Sequence, residues 1–320
     1  MSASLLEQLE LYPVSIPMRH RFRRVTVRDA VLMRGPAGWG EFSPFPDYPP
    51  EVTTRWLASA LESACVPLPE PRRRRIPVNV TVPAVAPEIA AELVASSGCT
   101  TAKVKVAEPG QDPGEDEARV AAVRGALGAD GRLRIDVNAA WDLETAVEQI
   151  FKLSIYDLEY VEQPVGSLED MVALRQRVEV PIAADEAIRM AVDPLEVAEA
   201  GGADVMVIKV QPLGGVRRAL DLADRSGLPV VVSSALETSV GIAAGVAAAA
   251  NLPDLPYACG LGTVALLEGD VVTEPMLAED GWMEVRRPSP DPGLLERWAA
   301  GRETAAELLR RLRWAAEVLT

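Results

Sequence analysis

The 320-residue chain contains one histidine, His20, three cysteines, and only 5% aromatic residues. His20 stands between Arg19 and Arg21 in a polar stretch and reads as a surface residue. With no second histidine, Ser-His-Asp hydrolysis, histidine-rich zinc sites and His-Asp proton abstraction all lose their central group. Acid–base work must fall to lysine, carboxylate, tyrosine or thiol. Cys65, Cys99 and Cys259 are odd in number, far apart and outside any Cys-x-x-Cys pair. They argue against a disulfide framework or a thiolate metal site and read as small buried hydrophobes.

Cations are also scarce. Lys and Arg number 32 against 47 Asp and Glu, a formal net charge of −15, whereas a nucleic-acid surface needs clustered cations. The one basic run, Arg72 to Arg75, precedes an apolar stretch and reads as a solvated linker. No apolar run approaches the ~18 residues of a membrane span. The opening MSASLLEQLELYPVSIPM lacks the basic stretch, apolar core and cleavage site of a secretory signal. The expectation is a cytoplasmic protein with a small-molecule partner and no nucleic-acid or membrane partner. An acidic exterior repels anions, so an anionic substrate must be drawn in by cations inside the site.

What is present is a composition suited to a globular core, 48% hydrophobic with mean hydropathy +0.09. From about residue 76, short β-branched runs alternate with helical patterns, the rhythm of βα units around a parallel sheet. The expected strands are Ile76–Val82, Ala102–Val106, Leu133–Val137, Leu158–Val161, Ile182–Ala184, Val205–Val210 and Val230–Ser233, with a weaker segment near Tyr257–Ala258. Seven or eight such units suit a closed barrel, and no strand leads into a Gly-x-Gly-x-x-Gly turn for a dinucleotide. The Gly-Gly pairs at 201–202 and 214–215 read as turns, the second with room to cradle a phosphate. Residues 1–75 differ: alternation over Leu9–Ile16 and Val25–Met33, a turn-rich stretch from Gly35 to Pro50, then a helix from Glu51 to Ala64. These predict a small α+β domain before a barrel over 76–265. The segment 266–320 ends in one long helix, Leu294–Leu319, that packs back on the first domain.

The middle barrel strands end in polar groups that apolar strands should not carry. Lys103 and Lys105 share one strand face, as do Arg134, Asp136 and Asn138. Then come Glu162, Asp185 with Glu186, Lys209, and Ser233–Ser234. From Asp136 onward the steps are 23 to 26 residues, one βα unit each, so these groups meet at the C-terminal mouth of a barrel. Singly, each has a structural explanation: Lys-x-Lys as an edge-strand face, a carboxylate as a helix cap. Together, three carboxylates on consecutive strands would repel one another unless a cation sat among them. All-oxygen ligands select a hard ion, Mg²⁺ with Mn²⁺ as the alternative. Asp136, Glu162 and Asp185 are the candidate ligands, with Lys103, Lys105, Lys209 and Arg134 as cations for a substrate carboxylate.

At these residues the sequence resembles the enolase superfamily, in its muconate-lactonising-like branch. The marks are Lys103-x-Lys105, Asp136 in IDVN, Glu162 in VEQP, Asp185 in ADE and Lys209 in IKVQPLGG. The resemblance implies a modified TIM barrel, (β/α)₇β, under an α+β N-terminal capping domain. Within the branch, Gly38 to Pro44, Ser233 to Thr238 and Cys259 to Thr263 resemble o-succinylbenzoate synthases of menaquinone biosynthesis. It implies dehydration of 2-succinyl-6-hydroxy-2,4-cyclohexadiene-1-carboxylate, Lys105 as base, and Lys209 as the opposed cation. It further implies a cap loop, including Ser43, over the substrate, and a succinyl end received near Ser233, Ser234, Gly260 and Gly262. Rival readings are an N-acylamino acid racemase or dipeptide epimerase using both lysines, a muconate-type cycloisomerase, and a non-catalytic ligand-binding barrel.

Overall fold

The computed structural model describes residues 6–22 and 25–319. A three-stranded antiparallel sheet opens the chain, with β1 (Glu10–Phe22), β2 (Val25–Gly35) and β3 (Gly38–Phe42) in that spatial order. The third strand was hidden inside the turn-rich stretch. Central strand β2 is covered on both faces, which is why Ala30 to Met33 are all buried rather than alternating. Helix α1 (Pro50–Cys65) lies across the sheet, burying Trp56, Leu57, Ala60 and Ala64. Its close approach requires Gly40: a Cβ there would stand 2.1 Å from the Ala60 carbonyl oxygen. Gly40→Ala should therefore cost about 1–3 kcal/mol through overpacking, readable as a lower urea midpoint.

The barrel sheet is parallel and runs in unbroken order from β5 (Val80–Val82) through β6 (Thr101–Lys105), β7 (Arg132–Asp136), β8 (Leu158–Glu162), β9 (Ile182–Ala184) and β10 (Val205–Lys209) to β11 (Val230–Ser233). An eighth, minimal strand closes it. Cys259 bridges Val78 on one side and Gly260 bridges Ser233 on the other, both in parallel sense. The expected strand Ile76–Val82 is in fact two pieces, because β4 (Arg75–Pro77) turns out of the barrel to pair antiparallel with Trp282–Glu284. Outward residues such as Ala102, Val104, Leu133 and Ile135 pack against the helices, while Tyr160, Ala183, Val205, Val207 and Val231 fill the barrel floor.

Three barrel helices start where a local side chain satisfies their first amides. Asp112 and Glu115 form a reciprocal capping box at Pro113–Leu127, Asp142 caps Leu143–Leu153, and Ser167 caps Leu168–Arg175. Two barrel helices are instead completed by the first domain. Glu62 of α1 accepts from the amides of Val216 and Arg217 at the start of α2 (Val216–Ser226). Glu41 of β3 accepts from Thr238 N and Gly241 N at the start of α3 (Ser239–Asn251). Carboxylates are favoured at helix N-termini by the free amides and the dipole. The Gly214–Gly215 turn thus carries a protein carboxylate where a phosphate reading was open.

The basic run is not merely solvated: Arg73 donates to the Ala249 and Pro253 carbonyls at the end of α3, and Arg75 stacks 4.5 Å from the Trp282 ring. Near the C-terminus the expected single helix is two, Pro292–Arg297 and Arg302–Val318, interrupted around Gly301. The second buries Leu308, Leu312, Ala315 and Ala316 in the same apolar cluster as Ile16, Leu32 and Trp56. Among the described residues no helix is long and apolar enough to cross a membrane.

Candidate active site

The strand register places the functional side chains. Lys105 pairs with Asp136 across β6 and β7, and Asp136 with Glu162 across β7 and β8. Asp185 follows β9, and Lys209 ends β10. With eight strands in the closed barrel, β6 and β10 are four apart, so Lys105 and Lys209 approach from opposite walls. Both line one inner chamber, together with Lys103, Asp136, Thr81, Ser233, Ser234, Gly260 and Thr263 from the barrel. Phe22 and Phe45 of the first domain, with Ala235 and Leu236, complete it around a space of about 20 Å³. A second cavity of about 400 Å³, lined by Asp47, Tyr48, Glu108 and Asn138 among others, shares the Phe45 wall.

The Lys105 position is braced from outside the barrel. Arg119, itself buried, donates to the Lys105 carbonyl at 2.9 Å and pairs with Asp116, which accepts from Ala107 N at 2.7 Å. The chain turns into positive φ just beyond the strands at Ala107, Asn138 and Gln163. Gln163 uses that turn to reach the next strand end: its Oε1 accepts from Asp185 N and Ala187 N, both at 3.0 Å. Strained conformations of this kind persist where surrounding bonds over-determine them.

Asp136, Glu162 and Asp185 are fully buried, and the three lysines are at most 7% exposed. Lys103 Nζ lies 2.8 and 2.7 Å from the Glu162 oxygens and 3.2 Å from Asp136. Lys105 pairs with Asp136 and donates to Asn138 Oδ1 at 2.7 Å. Lys209 donates to Asp185 at 2.6 Å, and Arg189 holds the other Asp185 oxygen at 2.9 Å. Burial opposes the Lys103 ammonium, but Glu162 and Asp136 outweigh it and hold its pKa above the usual lysine value. Burial likewise pushes Asp136 up, and Lys105, Lys103 and Lys209 outweigh it and hold its carboxyl well below the usual range. Glu162 is raised, first by burial and then by Asp136, with Asp185 acting in the same sense.

Among the described residues no three His, Cys, Asp or Glu side chains are already gathered as metal ligands. Each carboxylate is instead turned to a lysine or arginine. The donor set nonetheless suits a hard divalent ion: three buried carboxylates on neighbouring strand ends, with Glu162 destabilised as an anion by the other two.

Not every expected contact faces the chamber. Arg134 is below it, its guanidinium 4.7 Å from the Tyr160 ring centroid and bonded to Glu159, Asn79 and the Ala258 carbonyl, as a brace of the barrel floor. Ser43 turns away into the contact between first domain and barrel, where its hydroxyl donates to Glu41 at 2.7 Å and its amide to Gln211 at 3.3 Å. Gly262 packs against the Asn79 carbonyl, while its neighbour Thr263 lines the chamber and shares a 2.7 Å hydrogen bond with Ser234. Arg189, Thr81, Phe22 and Phe45 were not expected. Only Arg189 left a trace in the sequence, four residues after Asp185 and therefore on the same helical face.

Glu41 is a further buried acid, its carboxyl raised to about 7 by burial and by nearby Glu237, against hydrogen bonds from Thr238 and Ser43 and the charge of Arg28. In the unfolded chain it ionises near 4.5. Between those values the folded state holds the extra proton, so this group makes stability fall as pH rises from about 4.5 to 7. Glu41→Gln should flatten that slope, which is at most about 1.4 kcal/mol per pH unit, in urea titrations at pH 5 and 8.

Comparison with known proteins agrees with this architecture. Residues 86–297 match the enolase C-terminal domain-like family and residues 13–64 the enolase N-terminal domain-like family. The chain is 62% identical over 273 residues to the o-succinylbenzoate synthase of Thermobifida fusca, covering 85% of this chain and 86% of that one. To the o-succinylbenzoate synthase of Mycolicibacterium smegmatis it is 51% identical over 298 residues, covering 92% and 91%. The fold is shared with the muconate lactonizing enzyme of Pseudomonas fluorescens, at TM-score 0.78 and 22% identity over 91% of this chain and 98% of that one. It is shared also with the L-Ala-D/L-Glu epimerase of Bacillus subtilis, at TM-score 0.75 and 23% identity over 88% and 96%. The chain belongs to the enolase superfamily and, within it, to the o-succinylbenzoate synthase family.

Proposed function

We propose that this chain is an o-succinylbenzoate synthase that removes water from 2-succinyl-6-hydroxy-2,4-cyclohexadiene-1-carboxylate to give 2-succinylbenzoate in menaquinone biosynthesis. The observation that carries the reading is the pair Lys105 and Lys209 on opposite walls of one chamber, in a chain 51–62% identical to curated o-succinylbenzoate synthases. Asp136, Glu162 and Asp185 would hold Mg²⁺, with Mn²⁺ as the alternative; when bound, such an ion supplies a Lewis acid for the substrate carboxylate.

Lys105 takes the proton α to the ring carboxylate. The C–H pair becomes the new ring double bond, the neighbouring C–O bond breaks, and the same ammonium returns the proton to the leaving hydroxyl as water. One group can serve both transfers only if proton and hydroxyl leave from one face, so the elimination is syn. Lys209 stands across the ring as a fixed cation against the negative charge that builds there. Lys103 keeps Glu162 and Asp136 in place between the lysines. Ser233, Ser234 and Gly260, on the wall beside Lys209, receive the succinyl end. In this reading residues 1–75 cap the barrel, 76–265 form it, and 266–320 return to the cap, all in the cytoplasm.

Two opposed lysines also suit removal of a proton on one face and its return on the other, the chemistry of an N-acylamino acid racemase or dipeptide epimerase. Incubation with each substrate class in D₂O separates the readings. Conversion of the cyclohexadiene acid, with no deuterium entering the α-carbon of an N-acylamino acid or dipeptide, is expected. Deuterium exchange without conversion of the cyclohexadiene acid would replace the lyase by the isomerase.

A further inference from the structure

We infer that Arg28, on strand β2 of the first domain, is a positioning residue that sets the wall of the reaction chamber from outside it. Arg28 is 3% exposed, and its guanidinium ties three backbone carbonyls from two distant segments. Nε donates to the Leu236 carbonyl and Nη2 to the Ala235 carbonyl, each at 3.0 Å, and Nη2 also to the Ser43 carbonyl. Its Cζ lies 4.6 Å from the Phe45 ring centroid. Phe45, Ala235 and Leu236 all line the chamber, so one side chain fixes three of its apolar surfaces without reaching the interior.

Three features make this more than packing. Leu236 holds a positive φ of 64°, a conformation a branched residue adopts only under constraint, and its carbonyl is one that Arg28 grips. The other side of the same barrel loop is held by the first domain as well, through Glu41 and the amides of Thr238 and Gly241. The loop's position therefore belongs to the capping domain. A buried cation is costly unless its donors are satisfied, and a planar fork with five N–H groups meets three carbonyls and an aromatic face where a lysine cannot. Burial disfavours the charge, and Glu41, Glu237 and Asp29 oppose that effect.

The wall touches substrate and transition state alike, so loosening it removes uniform binding and falls on KM rather than kcat. Only this kinetic consequence rests on the functional reading above. Arg28→Lys is expected to raise KM for the cyclohexadiene acid about tenfold or more while kcat stays within about threefold. In Arg28→Lys and Arg28→Met, amide hydrogen exchange should accelerate in peptides covering 43–48 and 234–238, with peptides of strands β6 to β8 unchanged. Unchanged exchange in both segments would overturn the proposal. So would an unaltered KM with kcat lowered only in step with the folded fraction, the result of a purely structural role. If the wild-type protein fails to convert the cyclohexadiene acid, the functional reading falls and the exchange comparison still decides the role of Arg28.

Discussion

Lys105→Ala should lose at least about 10²–10⁴-fold in turnover, the usual contribution of a positioned acid–base group. Here the loss falls at both ends of the reaction, since the same nitrogen takes the proton and returns it to the leaving hydroxyl. The variant should still fold, because Asp136, otherwise left buried beside the deletion, keeps Lys103 at 3.2 Å. Lys105→Arg separates the base from its charge. Arginine preserves a cation beside Asp136 but does not give up its proton near neutrality, so it should be nearly as inactive as alanine. Single-turnover measurements on both variants, with melting curves to establish folding, test this. Near-normal rates in Lys105→Ala would remove the assignment, and activity in Lys105→Arg alone would make Lys105 an electrostatic rather than a proton-carrying group.

Chelation of divalent ions, and separately Glu162→Gln, should each abolish turnover. A Lewis acid at the substrate carboxylate contributes several kcal/mol of charge stabilisation, a loss of at least about 10³-fold in rate. Glu162 is the informative ligand to change. It sits between the other two carboxylates, and burial, Asp136 and Asp185 all disfavour its charge, a conflict that a divalent cation relieves. A readout independent of activity follows from linkage: Mg²⁺ at about 100 times its Kd should stabilise the wild-type fold by about 2.7 kcal/mol. Glu162→Gln should show little such shift in melting temperature. Full turnover after exhaustive chelation, or an equal Mg²⁺ shift in wild type and variant, would contradict the assignment.

The barrel was legible in the sequence because each functional group is local to a strand end and the βα unit repeats at nearly constant length. Asp136, Glu162, Asp185 and Lys209 could be aligned by counting alone, and Lys105 stood out by its alternation with Lys103. Elements that break the repeat were not. The eighth strand, expected only as a weak segment near Tyr257–Ala258, is reduced to bridges at Cys259 and Gly260, too short for any periodicity. Strand β3 carries Gly38 and Gly40, glycines that read as turn signals, although Gly40 in fact admits α1 against the sheet. The C-terminal helical pattern continues through Gly301, although the helix does not.

Arg134 shares a strand face with Asp136, which places it correctly inside the barrel, but depth along the axis is invisible to alternation, and its partners Tyr160 and Tyr257 lie below the chamber. Arg28 and Glu41 were invisible for a different reason. Their barrel partners lie 207 to 208 and 197 to 200 residues away, in a contact that only the docking of one domain on the other creates. The reacting half of the site is thus written in local pattern, and the half that shapes the chamber in long-range packing.

The most direct measurement is the appearance of the aromatic product from 2-succinyl-6-hydroxy-2,4-cyclohexadiene-1-carboxylate, followed with the purified protein in the presence of Mg²⁺ and after chelation. Product formed with Mg²⁺, lost on chelation and restored by adding the ion back is the expected result. No product under any metal condition, or the same rate with the ion removed, would contradict it.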